Sequence, residues 1–328
     1  VSRVAVIGAG AWGTTLAILL AENGHEVVLW AFETDLASEL NQLRENKRFL
    51  PGFPLPPSIT ATNRVEDIRP ADLALFVVPT QFLRQTARRF RGAIDAGVTL
   101  VAAGKGIEEG TLKLPLQILA EELGTNAAAV LSGPNLSQEI ARGLPAAAVA
   151  AANNEAVASR VQSALMQERF RVYRNDDPIG VQLGGALKNV IAIAAGVIDG
   201  LELGDNAKAG LLIRGIVEIT RLGVALGARA ETFAGLSGMG DLITTCGSRL
   251  SRNHTVGEQI ARGRSLKEIL AGMKEVAEGV PTTIAARELG RKHRISLPIT
   301  EQVYQVLYET KDPYRAINEL MTRSATSE

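Results

Sequence analysis

The chain has 328 residues, carries equal numbers of acidic and basic side chains, and contains a single cysteine, Cys246. At about 150 residues per domain this length predicts two domains, and a chain of this size needs no covalent staples to bury a core. Zero net charge argues against a nucleic acid or an anionic membrane as the partner of the whole surface, although a local basic pocket stays possible. One cysteine excludes an intrachain disulfide and fits a reducing, cytoplasmic compartment.

Residues 4–7 are four apolar residues that read as a short buried strand. Gly8, Gly10 and Gly13 follow in G-x-G-x-x-G spacing and lead into an apolar helical run. In that context each glycine has a purpose. Gly8 allows a tight turn off the strand, Gly10 lets a pyrophosphate approach the backbone, and Gly13 lets the helix pack closely on the sheet. Unpaired N–H groups at the helix start then face the phosphates. Arg3 before an apolar run resembles a signal peptide, but the three glycines interrupt that run. No other stretch reaches about 18 uninterrupted apolar residues, so no transmembrane helix and no stable membrane insertion are expected.

Strand-like runs follow at 27–30, 73–78, 99–102, 128–131 and 146–150, with helical stretches such as 81–90, 114–123 and 155–167 between or after them. Residues 51–57 and 104–110 read as loops, and 170–173 as a last, edge-like strand. Alternating strands and helices predict an α/β class: a Rossmann-type, doubly wound, mainly parallel sheet. Past Asp176-Asp177-Pro178 the pattern is helical throughout, at 182–198, 209–225, 254–262, 265–270, 282–293 and 298–308. The expected organisation is therefore a dinucleotide-binding domain over 1–177 and an all-helical domain over 178–328.

Open α/β sheets bind ligands beyond the carboxyl ends of their strands. Glu33, about twenty residues past the glycine motif, is placed to accept a hydrogen bond from an adenine ribose hydroxyl, and Phe32 to lie against adenine. Glu33 and Asp35 would repel a 2′-phosphate, and residues 31–35 contain no Arg or Lys. That favours NAD, with NADP possible. The competing reading is that both acids merely open a helix. Lys105, between two glycines at another strand end, is either a ligand contact or a solvated lysine. Gly133-Pro134 fixes a turn, and Asn135 is a candidate helix cap.

In the second half, Lys188 interrupts an otherwise uncharged, mostly apolar stretch over 181–198. Gly184 and Gly185 share its helix face, which leaves either a pocket or a close helix contact. Two glycines cost a helix about 2 kcal/mol relative to alanine, so something must compensate. An amine in such surroundings suits proton transfer. Asp241 is either a site carboxylate or the cap of a following helix. Ser251-Arg252-Asn253 offers a hydroxyl, a guanidinium and an amide to a phosphate, or is ordinary surface. His25, His254 and His293 lack metal-ligand spacing.

In this order the motifs GAGAWGTTLA, ENKRFLPG, FVVPTQFL, GKGIEEGT, LSGPN, GGALKNVIAIAAGVIDGL, GDNAKAGL, SGMGDLITTC and SRNHTVG resemble the NAD(P)-dependent glycerol-3-phosphate dehydrogenases over nearly the whole chain. The resemblance implies interconversion of sn-glycerol 3-phosphate and dihydroxyacetone phosphate, a substrate-binding and catalytic role for the helical domain over 178–328, a supply of glycerophospholipid backbone, and a homodimer. It implies Lys188 as the proton-transfer lysine and Lys105 as a contact of both cofactor and substrate. Gly133, Asn135, Asp241, Ser251, Arg252 and Asn253 match substrate contacts, with the Arg-Asn pair on the phosphate. Ala11, Trp12, Phe32, Phe49, Ser137, Arg252, Val276 and Glu278 fall at cofactor positions. Bacterial members usually have serine and alanine where this chain has Asn135 and Ser137, and many have arginine where it has Phe32. Another two-domain hydroxy-acid dehydrogenase, or a non-catalytic dinucleotide sensor, would share the first domain but not the full set of second-domain residues.

Overall fold

The computed structural model describes residues 2–124, 127–273 and 275–323, so the last five residues of the expected second domain lie outside it. The chain divides into two compact units, Val1–Lys105 with Leu114–Val181, and Gly106–Lys113 with Gln182–Glu328. The short segment 106–113 therefore leaves the first half of the sequence and packs with the second, which a linear boundary near 177 does not anticipate.

In the first unit, β1 (Arg3–Ile7), β2 (Glu26–Trp30), β5 (Ile59–Thr62), β6 (Leu73–Phe76), β7 (Thr99–Ala102), β8 (Ala128–Ser132), β9 (Ala146–Ala151) and β10 (Phe170–Asn175) form one sheet. Its order is β10-β9-β8-β7-β6-β1-β2-β5, parallel except for the β8–β9 pair. The doubly wound Rossmann-type expectation holds. Period-two side chains explain the two layers. Val4, Val6, Leu73 and Leu75 enter one apolar core with α1 (Ala11–Glu22) and α6 (Glu155–Leu165). Ala5, Ile7, Ala74 and Phe76 enter the other with α3 (Thr80–Arg89) and α4 (Pro115–Leu123).

Three elements differ from the sequence reading. The stretch 51–57, read as a loop, holds most of β4 (Leu50–Pro54), which pairs with β3 (Glu45–Asn46). Strand β5 caps the sheet edge unnoticed, because Thr60 and Thr62 break its apolar run. The helix α5 (Ser137–Ala141) has Leu136 at its N-cap, so Asn135 is not a helix cap.

The second unit is helical. Helix α7 (Pro178–Gly200) begins where the Asp177 carboxylate accepts the Gly180 N–H at 2.9 Å, with Pro178 at the first helical position. By length and composition α7 could cross a bilayer, but 94% of its most apolar window is buried inside the protein, as in a core helix. It is followed by α8 (Gly204–Ala225), α9 (Ala230–Phe233), α10 (Asp241–Gly247), α11 (Arg252–Ala261), α12 (Leu266–Ala271), α13 (Gly279–His293), α14 (Pro298–Tyr308) and α15 (Pro313–Met321).

Helices α3 and α4 are clamped by one carboxylate. Glu122, its side chain 2% exposed, accepts hydrogen bonds from Arg84 at 2.7 Å, Arg88 at 2.9 Å and Arg91 at 2.7 Å. Burial pushes the Glu122 carboxyl up, but the three guanidiniums outweigh it and hold the carboxyl below its usual range. A depressed folded-state pKa adds stability above the unfolded value, about 4.3, and loses it as pH falls through the folded value. Glu122→Gln is expected to cost about 2 kcal/mol at pH 7, since charged hydrogen bonds are lost. Its penalty relative to wild type should shrink below about pH 4. Denaturant melts of both proteins from pH 7 to pH 3 measure this; a penalty independent of pH would refute the clamp.

Candidate active site

The glycine loop meets each demand of a dinucleotide cradle. Gly8 has φ +117°, and a Cβ there would lie 2.5 Å from the Val77 carbonyl oxygen. A Cβ on Gly13 would lie 1.8 Å from the Gly8 carbonyl oxygen, so α1 contacts the turn with no room for a side chain. Around Gly10 a Cβ would meet nothing within 4 Å, which leaves the backbone open to a ligand. A pyrophosphate fits such a loop, and α1 starts at Ala11-Trp12 with its N–H groups available. Asn46, fully buried, holds the loop from behind. Its Nδ2 donates to the Ala9 carbonyl at 2.8 Å and to Thr14 Oγ1 at 2.7 Å, while its Oδ1 accepts the Phe49 N–H at 3.1 Å. Phe49 is thereby fixed against the core beside α1. Asn46 was not singled out in the sequence, although it lies within ENKRFLPG.

Other candidates stand at neighbouring strand ends of this unit. Phe32 and Glu33 follow β2, with Phe32 60% exposed and Glu33 at the N-cap of α2 (Thr34–Leu43). Asp35 does not face outward alone; its carboxylate meets the Arg48 guanidinium at 2.6 Å. The Lys105 ammonium donates to the Gly133 carbonyl at 2.8 Å, which links the ends of β7 and β8. Asn135 donates to the Ala147 carbonyl at 3.3 Å, and its buried Oδ1 receives no hydrogen bond from the described residues. Ser137 opens α5, and its carbonyl accepts the Thr15 hydroxyl at 3.3 Å.

In the helical unit, two backbone contacts set the geometry. A Cβ on Gly196 would lie 2.0 Å from the His254 carbonyl oxygen, and one on Gly257 would lie 1.9 Å from the Ile193 carbonyl oxygen. Helices α7 and α11 therefore touch backbone to backbone. A Cβ on Gly184 would lie 2.7 Å from the Ser237 carbonyl oxygen, in the π-helical turn Leu236–Gly240 that precedes α10. That close contact, rather than a pocket, explains Gly184. The His254 ring further ties α11 to Asp199 of α7 at 2.7 Å.

These contacts bring three polar side chains, Lys188, Asp241 and Thr245, together. The Lys188 ammonium lies 3.0 Å from Asp241 Oδ1, with side-chain exposures of 7% and 2%. It also donates to Thr245 Oγ1 at 2.5 Å, and that hydroxyl donates to Asp241 Oδ1 at 3.2 Å. Gly240, not Asp241, is the cap of α10, so the Asp241 carboxylate is engaged with side chains. Thr245 was missed in the sequence; its spacing of four from Asp241 on one helix face was the available signal. Next in chain to Lys188, Asn189 Oδ1 accepts Asn253 Nδ2 at 2.8 Å, and Asn253 Oδ1 accepts the Gly279 N–H at 2.9 Å. The Ser251 hydroxyl caps α11 by accepting the His254 N–H at 3.2 Å. Arg252, about half exposed, lies 3.4 Å from Glu275. Val276 is half-buried, and Glu278 sits at the N-cap of α13. Cys246 is buried on α10, and burial pushes its thiol up to about 12 despite the nearby Lys188 charge.

A protein-family model for the NAD-dependent glycerol-3-phosphate dehydrogenase N-terminus matches residues 3–158, and one for its C-terminus matches residues 177–318. The chain belongs to this family. It is 51% identical to a protein named glycerol-3-phosphate dehydrogenase [NAD(P)+] from Citrifermentans bemidjiense, across 99% of this chain and 98% of that one. A protein of the same name from Geobacter sulfurreducens is 48% identical over the same shares. Among solved structures, glycerol-3-phosphate dehydrogenase of Coxiella burnetii is 39% identical, with a TM-score of 0.95 over 98% of this chain and 99% of that chain. A D-mandelate dehydrogenase shares the fold, with a TM-score of 0.62 over 96% of this chain and 99% of that chain, at 10% identity.

The glycine loop yields a paired test. Gly10→Ala should fold normally and weaken NADH binding at least about tenfold, because only the ligand approach is obstructed. Gly13→Ala should lower the melting temperature even without cofactor, since a backbone carbonyl stands in the way. Thermal melts and fluorescence titration with NADH measure both, and equal loss of stability in the two variants would contradict the assignment.

Proposed function

We propose that this chain interconverts sn-glycerol 3-phosphate and dihydroxyacetone phosphate, with Lys188 as the group that moves the hydroxyl proton. The buried Lys188–Asp241–Thr245 cluster is the observation that carries this reading. Bound NAD(P) supplies the hydride acceptor or donor. The chain's own residues do the rest. Asp241 and Thr245 fix the direction of the Lys188 ammonium, so the amine reaches a substrate oxygen without first reorganising. A fixed positive charge in a site with little water stabilises alkoxide character at the substrate C2 oxygen. A contact of Lys105 with cofactor and substrate follows the family pattern. Arg252 grips the phosphate, with Asn253 alongside, and its guanidinium leaves Glu275 for a better-matched dianion. This remote binding energy positions the reacting carbon. Asn135, whose buried Oδ1 has no hydrogen-bond partner among the described residues, suits a donor on the substrate. Substrate roles for Gly133 and Ser251 follow the family pattern.

The cofactor roles proposed for Ala11, Trp12, Phe49, Ser137, Val276 and Glu278 follow the family pattern, as does a homodimer in the cytoplasm that feeds glycerophospholipid synthesis. The competing hydroxy-acid reading has only fold-level likeness behind it.

Absorbance at the nicotinamide band, with dihydroxyacetone phosphate and NADH or NADPH, tests the activity directly; oxidation with 3-keto acids alone would overturn it. Lys188→Ala should reduce turnover at least about 100-fold, the low end for a general acid–base group. Removing one member of a buried ion pair also costs about 3–5 kcal/mol of stability. A Lys188→Met, Asp241→Asn double variant therefore separates lost chemistry from lost fold. Near-native turnover in either protein would remove Lys188 from the mechanism. Arg252→Ala should chiefly raise the substrate KM; a fall in kcat with KM unchanged would contradict phosphate binding.

A further inference from the structure

The β2 end of the first unit holds a cation that the local sequence does not reveal. Helix α3 and the turn after it carry Arg84, Arg88, Arg89 and Arg91. Arg84, Arg88 and Arg91 converge on Glu122. Arg89 turns the other way, and its guanidinium lies 4.7 Å from the centroid of the exposed Phe32 ring. No carboxylate among the described residues pairs with Arg89. Phe32 is itself propped edge-on against Trp30, at 6.3 Å and 77°, and Trp30 is propped likewise against Phe90 at 5.2 Å. The aromatic stack thus sets Arg89 beside the residue that follows β2.

Two sequence-level arguments against a 2′-phosphate weaken here. No basic residue occurs over 31–35, but Arg89 arrives from a different element. Asp35 counted as a repelling charge, but it points into Arg48, which also takes Glu39 at 2.5 Å. Glu33 remains, suited to the ribose hydroxyls of NAD. An exposed cation–π contact is weaker than a hydrogen bond to a charged group. Arg89 is therefore held in place but not locked, and its planar fork matches a phosphate.

We propose that Arg89, resting on Phe32, is the residue that recognises the 2′-phosphate of NADP and so lets this chain use NADP as well as NAD. The proposal rests on the reading that the dinucleotide occupies the Gly8–Gly13 loop with its adenine ribose at the end of β2.

The test is equilibrium binding without turnover. Fluorescence titrations give Kd for NADH and NADPH with wild type, Arg89→Ala and Arg89→Lys, and displacement of NADH by 2′,5′-ADP or 5′-ADP isolates the adenosine end. Arg89→Ala should weaken NADPH and 2′,5′-ADP about tenfold or more while NADH and 5′-ADP stay within about twofold, tenfold being the loss of one such hydrogen bond. Arg89→Lys should recover part of the loss. Equal weakening of all four ligands, or no weakening of any, overturns the role of Arg89. Wild type that binds NADH but not NADPH overturns it too and leaves the dinucleotide site standing. Wild type that binds neither removes the site as well.

Discussion

The helical unit is arranged around one lysine side chain buried in an apolar helix and paired with a carboxylate. A lone charge at the position of Lys188 would be too costly to bury, so a carboxylate must be delivered to it. Asp241 meets that need only because the π-helical turn over Leu236–Gly240 lays its backbone against Gly184 and sets the start of α10. The bare contact between α7 and α11 then brings Asn253 to Asn189, adjacent in sequence to Lys188. Both glycine contacts explain how an apolar helix tolerates residues of such poor helix propensity: what is lost locally is recovered as close packing.

Much of the sheet was legible because buried parallel strands are continuous apolar runs, as at 4–7 and 99–102. Legibility failed at β5, where threonines at the sheet edge interrupt the run, and at the β3–β4 pair, where prolines and a glycine imitate a loop. It also failed at two helix starts. Asp177-Pro178 was taken as a boundary rather than as a cap, and Asp312-Pro313 went unread. Yet Asp312 accepts the Arg315 N–H at 2.8 Å and opens α15 in the same way.

The site divides along similar lines. Residues whose own chemistry is out of place in their surroundings, such as Lys188 in an apolar helix or glycines between a strand and a helix, could be picked out one at a time. Asn46, Thr245 and Arg89 could not. Each is an ordinary side chain whose meaning depends on which distant element it faces: the Ala9 carbonyl, the Lys188 ammonium and the Phe32 ring. Asp35 is the converse, a residue whose apparent charge is answered by Arg48, thirteen positions on.

Cys246 shares α10 with Asp241 and Thr245, and its thiol is both enclosed and strongly disfavoured as a thiolate. Oxidants and alkylating agents act on the thiolate, so in the closed fold this sulfur is chemically silent. Reaction at this sulfur requires that its surroundings open. The helix that supplies the partner of Lys188 therefore also carries a thiol whose accessibility depends on the packing of that helix.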